Sequence, residues 1–579
     1  MVDYHVQQHR NVITFQGYLR GMVSIPSVSN TPQEKEVSDY IAGCLERQPY
    51  FAKHPSLCGQ CALEGDSLGR TVVYGLVRGK GAGTVVLTGH YDVVDTDEYG
   101  RFRALAYDME AWKHIHGEEL EALKSMLPQE ARDDLASGEW LFGRGVNDMK
   151  GGLSIGLAIM DWFGQKVLEY PETTGNLLFA AVADEEAYSA GMRGAVSLFT
   201  GLRQEYGLTY DCLVDLEPSF NEGGKQQVYI GSVGKTMPAV LVQGAKAHVV
   251  ECFHGLNAIG VLAEMFMATE LAPEFSETFE GEHCPPPTWF NLRDRKYGYD
   301  VSVPLRAAGY MSMLGFSKTT SQVMERLKEM GRRSFASYMK RMESQEALVR
   351  SGNILPKVDL KHCVLEYGEL AEICRKKKGY GKWYQELYGK IESDVRTGAM
   401  NYPQATLEMM DAMLTFSGIT SPVMVISFAP PYYPAFHSDR LGETDRAGRT
   451  GGIQEGGIQA GGIQAGEGTR LYNLLQKAAE DTCGLCLGKR NYCCGISDLS
   501  YCGGPDREEM ASYAVNAPLW GTMYRMDLDA MADFRVPSLL FGPIGKDAHQ
   551  MSERVHARSL LEEVPVILQQ FIEQMFANT

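Results

Sequence analysis

Hydrophobic positions along this chain alternate between two kinds of pattern. In EKEVSDYIAGCLER (34–47), Val37, Tyr40, Ile41, Cys44 and Leu45 recur at the three- and four-residue spacing of one helix face. TVVYGLVRG (71–79) and GTVVLTGH (83–90) carry unbroken apolar runs instead, the mark of strands buried on both faces. An apolar helix follows at 151–168, a strand at 175–183, a helix at 190–202 and a strand at 210–216. Such alternation predicts an α/β fold on a mainly parallel sheet with helices on both sides.

Near Gly231 the texture changes to strands and long helices of an α+β kind, among them TTSQVMERLKEMGRRSFASYMKRM. The expected organisation is a catalytic domain over 1–233, an inserted α+β lid and dimerisation domain over 234–368, and the rest of the catalytic domain over 369–579. SPVMVISFAPPYYP (421–434) is read as a return to the catalytic sheet. GGIQEGGIQAGGIQA (451–465) is three five-residue repeats, too short to bury a core, so 449–466 is expected to be a flexible surface loop. A phosphate cradle would need a Lys-Ser/Thr ending and a preceding strand, which these glycines lack.

Length and composition narrow the function. At 579 residues and 44% hydrophobic content, two or more domains are expected. A net charge of −18 argues against nucleic-acid and membrane-surface binding. No run of eighteen apolar residues suggests a membrane span, and the opening MVDYHVQQHRNVITF lacks a signal-peptide core, so a cytoplasmic protein is expected. Thirteen cysteines then read as free thiols, although CGQC (58–61) and CGLC (483–486) have redox- or zinc-like spacing.

Candidate chemistry lies at the strand ends. His90 and Asp92 follow one strand, Asp184, Glu185 and Glu186 another, and Glu217 a third; Asp148 precedes a Gly pair and a helix, and His549 follows the strand SLLF. In a parallel sheet such tips share one edge, where a crevice forms. Carboxylates gathered there repel one another unless a cation compensates. Imidazoles mixed with carboxylates suit Zn²⁺, Mn²⁺ or Co²⁺ better than Ca²⁺. One carboxylate could bridge two ions, each taking a further carboxylate and a His, while a free neighbour handles the proton. Asp215 competes with Glu217 for a place in that set, and His114 and His116 sit in a charged helical stretch with little claim to one.

GHYDVV, GRGVNDMKGG, DEE, DLEPS and AHQMSERV, in that order, resemble the M20 metallopeptidase family of carboxypeptidases, desuccinylases, deacetylases and aminoacylases. VSIPSVSNTPQEKEVSDYI, VQGAKAHV with HGLNAI, and GISDLSY are similar to further family segments; length and GPIGKDAHQMSERV resemble its arginine-utilisation, RocB-like branch. The resemblance implies a zinc-peptidase-like catalytic domain with two divalent ions, zinc first, with manganese or cobalt in its place. His90, Asp148 and Glu217 would hold one ion, and Glu186, His549 and the shared Asp148 the other. Asp92 would orient His90, Glu185 would be the general base, and His248 in the lid would stabilise the oxyanion. Asn257 and Asp498 would touch substrate, a small N-acyl amino acid, short peptide or arginine-derived amide. A homodimer through the lid is implied too. AAGYMSMLGFSK lacks the Arg expected to grip a substrate carboxylate, which leaves substrate identity open.

The alternative from another class is a binding or regulatory protein that keeps the fold without turnover. Retention of base, bridging Asp and both His favours the enzyme. A redox or zinc module on the Cys pairs would need its cysteines to converge, and no pattern indicates that they do.

Overall fold

The computed structural model describes residues 16–296, 298–349, 352, 354–441 and 466–577. The Gly-Gly-Ile-Gln repeats lie outside the described residues. The chain divides into two compact units.

The first unit takes the chain up to Ser232, then Phe436–Gly504 and Asp527 onward. Its sheet runs in the order Cys58–Ala62, Thr71–Arg78, Thr174–Val182, Lys80–His90, Thr209–Asp215, Ser538–Leu540, Lys225–Tyr229, Gly488–Arg490. The four strands from Thr174–Val182 to Ser538–Leu540 are mutually parallel, and antiparallel strands flank them. One register row crosses the parallel centre through Phe179, Leu87, Val214 and Leu539. All four are fully buried. Each buried side chain of this size is worth about 1.5–3 kcal/mol. A one-residue slip would turn every one of them to the wrong face, so the register that puts His90 at the strand tip is strongly fixed.

The helix Lys150–Glu169 packs on this sheet, and its glycines explain how closely. A Cβ on Gly152 would stand 2.0 Å from the Leu216 carbonyl oxygen. The Gly pair after Asp148 thus lets the helix start touch the strand end that leads to Glu217.

The charged stretch after Asp92 builds a small module of its own. A 3₁₀ segment Asp97–Tyr107 and helices Ala111–His114, Gly117–Met126 and Gln129–Ser137 bury Tyr99, Trp112, Leu123 and Leu127 together with Phe142 and Met551. The strand Trp140–Phe142 pairs antiparallel with Arg554–His556, tying the module to the late chain.

The second unit comprises Val233–Ala435 and Pro505–Met526. Its five-stranded sheet runs Thr288–Asp294, Arg306–Gly315, Gly234–Gln243, Val423–Tyr433, Val364–Glu366. The helices Tyr367–Arg375 and Tyr402–Ser417 pack on one face through Leu370, Met410 and Met413. The helices Ala258–Thr269 and Thr320–Val349 also belong to this unit.

These boundaries correct the expected 234–368 and 369–579. Val423–Tyr433 pairs along the whole of Gly234–Gln243, with Val240 opposite Ile426, so it is a strand of the second unit. The chain returns to the first unit only at Phe436 and leaves it again for Pro505–Met526. The apolar run 421–434 signalled burial on two faces. That signal is the same in either sheet, because both are covered by helices.

Candidate metal centre

The first unit gathers the tip residues into one cluster. His90 is the last residue of its strand, and Glu217 lies two past the end of Thr209–Asp215. Glu185 and Glu186 follow Thr174–Val182. Asp148 ends the turn before Lys150–Glu169. His549 comes from the loop between Gly545–Lys546 and Arg554–His556.

Asp148 sits between the two imidazoles. Its Oδ1 is 3.0 Å from His90 Nε2 and its Oδ2 is 3.2 Å from His549 Nε2. His90 Nε2 is also 3.3 Å from Glu217 Oε1 and 3.9 Å from Glu185 Oε2, while His549 Nε2 is 3.0 Å from Glu186 Oε2. Ligand atoms around a tetrahedral ion at about 2.1 Å stand roughly 3.4 Å apart. The donor set and its spacing therefore fit divalent ions. Two groups, His90 with Glu185 and Glu217, and His90 with Asp148 and Glu186, converge closely enough to hold one. His90 is wholly buried, whereas His549 is 52% exposed, so the cluster opens toward His549.

The electrostatics point the same way. Burial pushes Glu217 up to about 7, with Asp148 adding to the rise and His90 opposing it. Burial also drives Glu185 well above the usual carboxylate range, His90 opposing and Glu186 and Glu217 adding. Burial acts against the Asp148 carboxylate too, but hydrogen bonds from His549 and His90 hold it low. Hydrogen bonds to Asp148 and Glu186 lift His549 to about 10. Burial and the neighbouring carboxylates thus oppose ionisation of Glu185 and Glu217, while the two imidazoles favour the Asp148 carboxylate.

Asp92 does more than orient an imidazole. His90 Nδ1 donates to the Asp92 main-chain carbonyl at 3.0 Å, while the carboxylate Oδ1 stands 3.5 Å away. With Nδ1 turned to that carbonyl, Nε2 is the nitrogen that faces Asp148 and Glu217 and would be the one to hold an ion. The Asp92 carboxylate accepts the Ser29 hydroxyl at 2.6 Å and the backbone N–H groups of Glu185 and Glu186 at 3.0 and 3.2 Å.

Several supporting residues gave no sequence signal that singled them out. Glu34 accepts the Asp184 N–H at 3.1 Å, and Arg70 reaches Asp184 at 2.7 Å and Glu34 at 3.2 Å. Together they brace Asp184, whose φ of +65° lies in the left-handed region. Glu553 accepts the N–H groups of Asn147 and Asp148, both at 3.2 Å, and is paired with Arg144 at 2.7 Å. Glu553 stands in the SERV run already singled out, but flanked by Ser552 and Arg554 it carries no mark of burial in the sequence.

Of the competing acids, Glu217 reaches His90 and Asp215 does not join a metal-capable group. Asp215 and Asp498 are buried with neither carboxylate oxygen hydrogen-bonded among the described residues. His248 and Asn257 belong to the second unit. His248 is exposed and its Nδ1 accepts the Val250 N–H at 3.3 Å; Asn257 Oδ1 caps the helix Ala258–Thr269 through the Ile259 N–H. His114, His116 and the cysteines enter no metal-capable group among the described residues, and all thirteen cysteines are free thiols.

Comparison with known proteins fits this geometry. The model for peptidase family M20/M25/M40 matches residues 86–501. YqjN of Bacillus subtilis is 28% identical over 95% of this chain and 94% of its own length. Protein RocB of the same organism is 23% identical over 95% and 92%. Among solved structures, the di-peptidase Dug1p of Saccharomyces cerevisiae superposes with a TM-score of 0.52 at 12% identity, covering 99% of this chain and 98% of that one. The chain belongs to peptidase family M20/M25/M40 and is a metal-dependent hydrolase.

Proposed function

We propose that this chain cleaves an amide bond in a small N-acyl amino acid, a short peptide or an arginine-derived amide, using two divalent ions, zinc first and manganese or cobalt as alternatives. The observation that carries this reading is Asp148, one oxygen 3.0 Å from His90 Nε2 and the other 3.2 Å from His549 Nε2. His90, Asp148 and Glu217 would hold one ion, and Asp148, Glu186 and His549 the other. Bound there, the ions supply Lewis acidity, polarising the scissile carbonyl and lowering the pKa of water.

Glu185 and Glu217 both lie close enough to His90 to share an ion with it; Glu217, the nearer at 3.3 against 3.9 Å, is given the ion and Glu185 the proton. The Glu185 carboxylate removes a proton from the attacking water and returns it to the leaving nitrogen. Burial raises its pKa, the direction that makes a carboxylate able to hold the proton before returning it. His248 would stabilise the oxyanion, in its own chain or a neighbouring subunit. Because its Nδ1 accepts a backbone N–H, the neutral ring keeps Nε2–H to donate. Asp498, buried with both oxygens open, suits a substrate cation, and Asn257 keeps its amide NH₂ for a polar contact.

The second unit would act as lid and dimer contact. Its sheet ends in the strand Thr288–Asp294, where Phe290 is 56% exposed, and Met267 and Leu271 are exposed beyond it. A terminal strand with exposed apolar side chains favours pairing with a second copy. Free thiols fit the reducing cytoplasm, and no described helix is long and apolar enough to cross a membrane.

The test is a panel of N-acyl amino acids, dipeptides and arginine-derived amides, assayed with Zn²⁺, Mn²⁺ and Co²⁺ added separately. Metal-dependent turnover of one class is expected. Tight substrate binding without turnover under every metal would favour a binding protein instead.

A further inference from the structure

The module between Asp97 and Phe142 is unexplained by the reaction, since none of its residues enters the cluster. Two ion-pair chains, each running through a buried arginine, nevertheless lead from it to the loops that carry the site. In the first, Glu98 pairs with Arg144, Arg144 with Glu553, and Glu553 accepts the N–H groups of Asn147 and Asp148. In the second, Asp134 of the helix Gln129–Ser137 accepts Arg554 Nε at 2.7 Å. Arg554 is wholly buried, and its Nη1 donates to Asp547 Oδ2 at 2.5 Å and to the Ser552 carbonyl at 2.9 Å. Asp547 Oδ2 also accepts the Ser552 hydroxyl at 2.7 Å.

This second chain closes the loop 547–552 at its base, and His549 sits at the turn. Asp547 and His549 both hold positive φ, +55° and +66°, a conformation uncommon for L-residues that the contacts at the loop's base help to hold. Trp140 adds a face for the cations: Lys546 Nζ lies 4.4 Å and the Arg554 guanidinium carbon 5.5 Å from its ring centre. Lys546 also reaches Asp134 at 2.9 Å. His90 and Glu217, by contrast, stand at the ends of central strands fixed by the sheet.

We infer that Asp134 is a positioning residue, which sets the His549 loop through Arg554, so that this second chain supports one metal position while the sheet supports the other. The inference rests on the two-metal reading. It requires the two positions to respond differently when Asp134 is changed.

The test is Co²⁺ titration of the metal-stripped full chain, followed by calorimetry and by the visible absorption of bound cobalt. Wild type should take up two ions. In Asp134→Ala the first step should stay within about twofold, while the second weakens about 10–100-fold, the range typical for loss of an outer hydrogen-bond partner. Asp134→Asn, which keeps size and one acceptor, should weaken the second step less, and Asp134→Glu should restore it in part. If Asp134→Ala does not fold, Asp134→Asn decides. A merely structural role would lower the melting temperature and leave both steps unchanged or shift them equally; either result overturns the inference alone. Fewer than two ions in wild type overturns the two-metal reading and this inference with it.

Discussion

The carboxylate of Asp92 accepts the backbone N–H of Glu185 at 3.0 Å. One residue thereby orients an imidazole through its carbonyl and anchors the proposed base through its side chain. Asp92→Asn replaces one accepting oxygen with a donor, so the Glu185–Glu186 turn loses one of its two backbone anchors. The expected outcome is a loss in metal affinity or kcat of about 10–100-fold. Kinetics beside a metal titration will check this; wild-type values for both would remove Asp92 from the machinery.

Glu185→Gln should keep the metal content and lose at least about a hundredfold in kcat, since acid–base contributions run roughly 10²–10⁴-fold. Glu186→Gln should lose metal affinity as well as rate. The two variants need kcat and metal analysis on the same preparations. Metal loss in the first but not the second would reverse the assignment of the pair.

Glu553→Ala should destabilise the metal-free fold by about 3–5 kcal/mol, because it leaves a buried guanidinium without its buried partner. Arg144 is 1% exposed, and Glu553 0%. Its remaining partner Glu98 is 34% exposed, so it offsets little of the loss. Urea unfolding measures the difference. A change under about 1 kcal/mol would place this pair with surface salt bridges.

Sedimentation at micromolar concentration should find a homodimer. Phe290→Lys on the exposed edge strand should shift it toward monomer without altering the metal cluster's own residues. A monomeric wild type would remove the dimer from the account and leave the lid untouched.

The pattern of strand tips disclosed the cluster because parallel strands with fixed register deliver their C-terminal ends to one edge. His90, Glu217 and the Glu185–Glu186 pair are placed by that rule alone. The supporting residues were not disclosed, since Glu34, Arg70, Arg144 and Arg554 act through contacts distant in sequence. Arg554 and Asp134, for example, are 420 positions apart. The second unit's extent escaped for a related reason: a buried strand looks alike in either sheet, and only its pairing with Gly234–Gln243 assigns Val423–Tyr433. Asn257 is a residue where a local role competes with a functional one, since a helix N-cap accounts for its oxygen.

The central claim is that Asp148 joins two metal positions, and metal counting on three reconstituted proteins tests it most directly. Each protein is stripped with a chelator, reloaded with Zn²⁺, desalted and analysed for metal per chain. Wild type should hold two ions, His549→Ala one, and Asp148→Ala none, because Asp148 places one oxygen 3.0 Å from His90 and the other 3.2 Å from His549. Fewer than two ions in reconstituted wild type, or one ion retained by Asp148→Ala, would contradict it.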